Sequence, residues 1–238
     1  MDLVEVTPRL HMLRFPIGQA YLWRDGGGPG AELTLVDAGN ATSAPEIEAA
    51  IRSLGPDPAA LRRIVLTHCH RDHVGAAAEL SARYGAEVVA HRLEAPVIRG
   101  ERPVPEPVLL DWERPLYAHG LTVPEAPPTP VHREVEDGAD LGFGDGAYAV
   151  HSPGHTDGSI AVHLPRRGVL FTGDCVAGVQ QVMMLGVFNT DRERALESFR
   201  RLAALKPAVA CFGHGDPVTE DTAAVLAAAA AHDSAAVA

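Results

Sequence analysis

Apolar positions recur along most of this chain with periods that separate strands from helices. Val4 to Trp23 predicts two short strands with a break at Pro16-Ile17-Gly18. Gly26-Gly27-Gly28-Pro29-Gly30 predicts a turn, and Leu33 to Val36 a strand ending at Asp37-Ala38-Gly39. Ile47, Ala50, Ile51 and Leu54 fall on one helical face, so Ser43 to Leu54 reads as a helix, opened by a Ser43/Glu46 capping box and stopped by Gly55. Arg63 to Leu66 predicts a buried strand running into Thr67-His68-Cys69-His70-Arg71-Asp72-His73. A helix over Val74 to Tyr84, closed by Gly85, and a strand over Glu87 to Ala90 follow.

Pro96 to Pro130 lacks a sustained period and is rich in proline; it reads as a long irregular excursion rather than a linker. Strands return from Leu141. Tyr148 to Ser152 precedes Pro153-Gly154-His155, and Ser159 to Leu164 forms a hairpin with Val169 to Thr172. Thr190 and Glu193 read as the cap of a helix carrying Ala195, Leu196, Phe199, Leu202 and Ala203. Ala208 to Phe212 reads as a strand, and Thr219-Glu220-Asp221 opens a last alanine-rich helix. This order predicts an α/β (α+β) protein: two mixed β-sheets flanked by helices in a four-layer αββα sandwich, with residues 1–238 as one domain.

Composition narrows the setting. The chain has 238 residues and a formal net charge of −11, which disfavours nucleic acid as a partner because phosphate binding needs a Lys/Arg face. Its longest apolar run, Ala223 to Ala231, is too short to span a bilayer, and Met1 to Glu5 has neither a basic start nor an apolar stretch of the secretory kind. Cys69, Cys175 and Cys211 are widely spaced and odd in number, so a disulfide framework is not expected and a reducing, cytoplasmic setting is.

The chemistry concentrates in His68-x-His70-x-Asp72-His73, placed between a strand end and a helix start. Four ligand-type side chains in six positions exceed what a helix cap needs, and a tight loop can turn them toward metal. Three further candidates each follow an apolar strand beside glycine: His155 in Ser152-Pro153-Gly154-His155-Thr156, Asp174 in Phe171-Thr172-Gly173-Asp174, and His214 in Phe212-Gly213-His214-Gly215. Together they make five imidazoles and two carboxylates.

These segments, with Leu35-Val36-Asp37-Ala38-Gly39, resemble the metallo-β-lactamase-fold hydrolase superfamily, in the family's order and over nearly the whole chain. The resemblance implies His68, His70 and His155 on a first metal, Asp72, His73 and His214 on a second, and Asp174 bridging both, with Asp37 supporting the ligands from behind. Nitrogen-rich donors favour two Zn2+ per chain, with iron or manganese as alternatives. A bridging hydroxide would be the nucleophile and Asp72 would orient it.

Departures from the subfamilies narrow the substrate. Asp174 stands where some true β-lactamases carry a Cys ligand. The Gly-Cys-Gly-Arg segment that helps glyoxalase II and persulfide dioxygenases hold glutathione is replaced by Cys175-Val176-Ala177-Gly178-Val179-Gln180-Gln181, and Cys175 is expected as a packed thiol pointing away along an extended segment. The expectation is a hydrolase of a small-molecule ester, lactone or thioester, free or homodimeric. The alternatives are a mononuclear iron sulfur dioxygenase using His68, His155 and Asp174, or a phosphodiester hydrolase. Trp112, Tyr117, Met183, Met184 and Phe188, from the excursion and from Gln180 to Phe188, are candidates for an apolar pocket, and Tyr21 for a substrate contact.

Overall fold

The computed structural model describes residues 1–26, 28, 30–179 and 182–235. Gly27 and Pro29 of the expected turn, and Gln180 and Gln181 of the expected pocket wall, lie outside the described residues. The chain divides into two compact units, residues 1–104 with 121–135 and residues 105–120 with 136–238.

The first unit is built on a seven-stranded sheet in sequence order: β1 (Asp2–Thr7), β2 (Leu10–Arg14), β3 (Gln19–Arg24), β4 (Leu33–Val36), β5 (Leu61–Val65), β6 (Glu87–His91) and β7 (Arg133–Val135). β1 to β4 pair antiparallel, and β4 to β7 pair parallel. The expected pair of strands over Val4 to Trp23 is a three-stranded meander, because the chain also turns at Pro8-Arg9, where Arg24 N donates to Arg9 O. Helices α1 (Ala44–Ser53), α2 (Arg71–Val74), α3 (Ala77–Tyr84) and α4 (Ala95–Ile98) complete the unit. Ile47 and Ile51 of α1 and Leu80 of α3 enter one core with Leu35, Ile64, Leu66 and Val88 of the sheet strands and the residues just after them.

Two helix readings need correction. The Ser43/Glu46 capping box is not made: Ser43 has helical dihedrals and its Oγ accepts the Asn40 amide, while Pro45 removes one amide that a cap would serve and Glu46 pairs with the N-terminal ammonium. The helix expected over Val74 to Tyr84 is two, α2 and α3, parted at Gly75-Ala76. Gly75 packs so tightly on the turn after β4 that a β-carbon there would lie 2.1 Å from the Asn40 carbonyl carbon.

The second unit holds a four-stranded sheet in the order β13-β10-β9-β8 and a separate β11-β12 hairpin. Its strands are β8 (Tyr148–His151), β9 (Ile160–Leu164), β10 (Val169–Phe171), β11 (Val176–Val179), β12 (Val182–Leu185) and β13 (Val209–Cys211). β9 is antiparallel to β8 and β10, and β13 is parallel to β10, so β8, β10 and β13 run the same way. Three helices belong here: α5 (Arg114–Gly120), α6 (Arg192–Ala203) and α7 (Thr222–Ala235). Leu196, Phe199 and Leu202 of α6 meet Val150, Leu170, Phe212 and Leu226 in the core.

The excursion over 96–130 is less irregular than expected, since it carries the end of α4 and all of α5. The cap of α6 is Asp191 rather than Thr190: Asp191 Oδ1 accepts the Arg194 amide at 3.0 Å, whereas Thr190 Oγ1 donates to Gly154 O. Cys175 closes a 3-10 turn over Gly173–Cys175 instead of continuing an extended segment, and its thiol is buried, 3.7 Å from Ala195 O. The three cysteines are free and buried. The two large sheets are mixed and each unit also carries helices, so the α/β class expected from the sequence is the one found. No helix among the described residues is long and apolar enough to cross a membrane.

Candidate metal centre

The donors of the first unit follow the C-terminal ends of two adjacent parallel strands, the edge of a parallel sheet where loops diverge and ligands bind. Asp37 follows β4, and the His68–His73 loop follows β5. Asp37 Oδ1 accepts the Thr67 amide and Oδ2 the Thr67 hydroxyl, both at 2.8 Å. Oδ2 also meets His73 Nδ1 at 2.9 Å. The Thr67 hydroxyl proton is thereby spent on Asp37, so its contact of 3.0 Å with His68 Nδ1 requires that ring to donate. His68 and His73 are thus both held through Nδ1, by Thr67 and Asp37, with Nε2 turned to the neighbouring candidate ligands. His68 Nε2 faces His70 Nδ1 at 3.1 Å, and His73 Nε2 faces Asp72 Oδ2 at 3.5 Å. Arg71, between them, donates to the carbonyls of Leu121 and Val123 and ties the loop to the returning excursion.

The second unit repeats this logic. His155 follows β8, Asp174 follows β10 in the 3-10 turn, and His214 follows β13, three strands that run in one direction. His155 Nδ1 donates to Val187 O at 3.0 Å, which leaves Nε2 as its donor atom. His155 Nε2 and His214 Nε2 lie 3.6 and 3.4 Å from the same oxygen, Oδ2 of Asp174. His155 is 1% exposed and Asp174 9%, while the His214 side chain is 38% exposed. Gly186 permits this packing, since a β-carbon there would fall 1.7 Å from Asp174 O.

These distances separate two kinds of contact. The Asp37–His73 pair, at 2.9 Å, is at hydrogen-bonding range. The His68–His70 contact, at 3.1 Å, is within that range too, whereas the His73–Asp72, His155–Asp174 and His214–Asp174 contacts run from 3.4 to 3.6 Å. Donors about 2.0–2.2 Å from one tetrahedral cation stand about 3.3–3.6 Å apart, so these three contacts have the spacing, and the donor set the nitrogen-rich chemistry, of a divalent metal's shell.

The other candidates are placed as follows. Tyr21 is buried on β3, its hydroxyl accepting from Gln19 Nε2 at 2.9 Å. Met183 packs in the second unit's core, and Met184 is half-buried opposite Ala177. Trp112 is 49% exposed, whereas Tyr117 and Phe188 stack edge-on with ring centroids 5.3 Å apart. Sequence reasoning gave no role to Thr67 or to the Val187 carbonyl. A threonine directly before the first histidine was a usable signal for the former; a carbonyl has none.

The family profile described as Metallo-beta-lactamase superfamily matches residues 15–214. The probable metallo-hydrolase YflN of Bacillus subtilis is 29% identical over 236 residues, covering 90% of this chain and 87% of that protein. A hydroxyacylglutathione hydrolase of Cereibacter sphaeroides is 30% identical over 199 residues, 82% of this chain and 61% of the relative. Among solved structures, a metallo-beta-lactamase family protein of Thermus thermophilus has a TM-score of 0.69 at 25% identity, covering 97% of this chain and 81% of that one. A Cronobacter sakazakii metallo-beta-lactamase reaches 0.72 at 22% identity over 100% and 96%, a likeness of fold.

Proposed function

This chain belongs to the metallo-beta-lactamase superfamily, and from that premise we propose that it is a dinuclear metal-dependent hydrolase of a small-molecule ester, lactone or thioester. The observation that carries the reading is the shared focus of the donors within each unit, with His68, His73 and His155 held by Nδ1 so that Nε2 faces the neighbouring candidate ligands. His68, His70 and His155 would hold one ion, Asp72, His73 and His214 the other, and Asp174 would serve both. The match over residues 15–214 supports treating the whole chain as one catalytic domain. Zinc suits these borderline donors best. Bound there, divalent ions supply the Lewis acidity that polarises a carbonyl and brings the pKa of a water to about 7.

The protein's own groups would do the rest. Asp72 accepts a hydrogen bond from the attacking water and turns its lone pair to the acyl carbon. The water oxygen bonds to that carbon, the C–O or C–S bond breaks, and the proton ends on the leaving alcohol or thiol. Asp37 and Thr67 keep His68 and His73 from rotating as charge shifts. The kinship to a hydroxyacylglutathione hydrolase supports keeping thioesters within the substrate class. The missing Gly-Cys-Gly-Arg segment shifts the expectation toward substrates without glutathione.

Metal analysis of purified protein, followed by turnover of lactones, esters, thioesters and phosphodiesters on one preparation, tests the proposal. About two zinc per chain with acyl hydrolysis is the expected result. Activity that survives complete metal removal overturns it, and iron with oxygen uptake on a persulfide replaces it with a dioxygenase.

A further inference from the structure

Glu113 is a buried carboxylate that the proposed chemistry does not use. It is 1% exposed, although Trp112 and Arg114 on either side are exposed. A carboxylate is tolerated under cover only where its oxygens are hydrogen-bonded. Oε2 accepts the Leu110 amide at 2.8 Å, a local closure. Oε1 accepts the Phe188 amide at 3.4 Å, long for a hydrogen bond and bridging 75 residues of sequence.

Phe188 N–H belongs to the same peptide group as the Val187 carbonyl, and that carbonyl receives His155 Nδ1. One planar amide therefore has a carboxylate at its N–H end and a candidate ligand imidazole at its C=O end. The segment carrying this peptide is fixed on several sides. Phe188 holds a left-handed φ of 60°, the Asn189 carbonyl accepts the Val108 amide at 2.9 Å, and Asn189 Nδ2 donates to Gly186 O at 2.6 Å. Tyr117 of α5 stacks on Phe188. Docking of residues 105–120 and the aim of the Val187 carbonyl are thus one arrangement.

We propose that Glu113 is a positioning residue for His155, acting through the Val187–Phe188 peptide. Negative charge at the N–H end polarises the carbonyl, which grips Nδ1–H more firmly and makes Nε2 a stronger donor, since hydrogen bonds in series reinforce one another. Carboxylates that hold ligand histidines directly act in the same sense; here a peptide stands between. The inference rests on the reading of His155 as a metal ligand.

Zinc affinity of the full chain, by competition with a chromophoric chelator, and the His155 Nδ1 proton in 15N-edited spectra of zinc-loaded protein read the two ends of the relay. Glu113→Gln keeps the size and one acceptor and removes the charge. It should weaken zinc binding about tenfold and move the Nδ1 proton upfield. Glu106→Gln removes an exposed charge from the same excursion and should match the parent in both. Equal affinity of Glu113→Gln and parent overturns the proposal, as does an equal loss in Glu106→Gln. Should Glu113→Gln fail to fold, zinc loading of the native chain should shift the Glu113 carboxyl 13C and Phe188 amide signals, and invariance of both overturns it. A parent chain that binds no zinc fails one step earlier, at the ligand reading itself.

Discussion

His73 and Asp37 meet at 2.9 Å, Nδ1 to Oδ2, and the same carboxylate takes both the amide and the hydroxyl of Thr67. One side chain following β4 therefore orients two imidazoles of the loop following β5, His73 directly and His68 through Thr67. Asp37→Asn keeps the shape but offers one acceptor oxygen for three donors. Metal affinity should fall 10–100-fold, with the fold retained by circular dichroism. Unchanged affinity in a chelator competition would show that Asp37 merely packs.

Asp174 Oδ2 is the common partner of His155 Nε2 and His214 Nε2. Asp174→Ala removes the atom on which both rings focus, and turnover of any lactone or ester should vanish. Metal content should drop from about two ions per chain to one or none. Elemental analysis of the purified variant decides; two ions retained would disconnect Asp174 from the metals.

His163 supplies a pH prediction away from the metals. Its Nδ1 lies 2.9 Å from the Tyr148 hydroxyl, and burial pushes its pKa below the ordinary 6.5. The folded chain thus keeps it neutral after the unfolded chain has taken up a proton. The stability tied to this histidine is complete above pH 6.5 and is lost as pH falls from there through the lowered value. His163→Gln should flatten the decline of the melting temperature over roughly pH 7 to 5, measured on chelator-treated parent and variant side by side. Parallel curves would count against it.

The helix starts make a paired prediction. Asp191 caps α6 by accepting the Arg194 amide, so Asp191→Ala should cost about 1 kcal/mol in denaturant unfolding. Glu46 makes no capping box on α1 and, among the described residues, pairs with the N-terminal ammonium, so Glu46→Ala should cost at most about 0.5 kcal/mol. A larger loss at Glu46 than at Asp191 would reverse the assignment.

The candidate donors stand out in the sequence because they sit at strand ends, where a period of two stops abruptly at His, Asp and Gly. His68–His73, His155, Asp174 and His214 all announce themselves this way. The strands that escaped notice lack such contrast. β1 is merged with β2 into one expected strand because the Pro8-Arg9 turn carries no glycine, β7 is only Arg-Glu-Val, and β11 and β12 are four-residue apolar stretches without alternation. The capping box failed because Pro45 and the Ser43–Asn40 bond outcompete it, a choice between two local bonds that residue types alone do not decide. Glu113 was invisible for a deeper reason. Its neighbours are exposed and its partner lies 75 positions away, so nothing nearby marks it as interior.

The backbone at Asp37 carries a consequence for how this sequence can change. Its φ of 60° is a conformation that glycine enters freely and aspartate at a cost. Glycine there would relieve the main chain but leave the Thr67 amide, the Thr67 hydroxyl and His73 Nδ1 without their buried acceptor, a larger loss than the strain relieved. Aspartate at this position is therefore kept for what its oxygens hold, against the preference of the main chain beneath it.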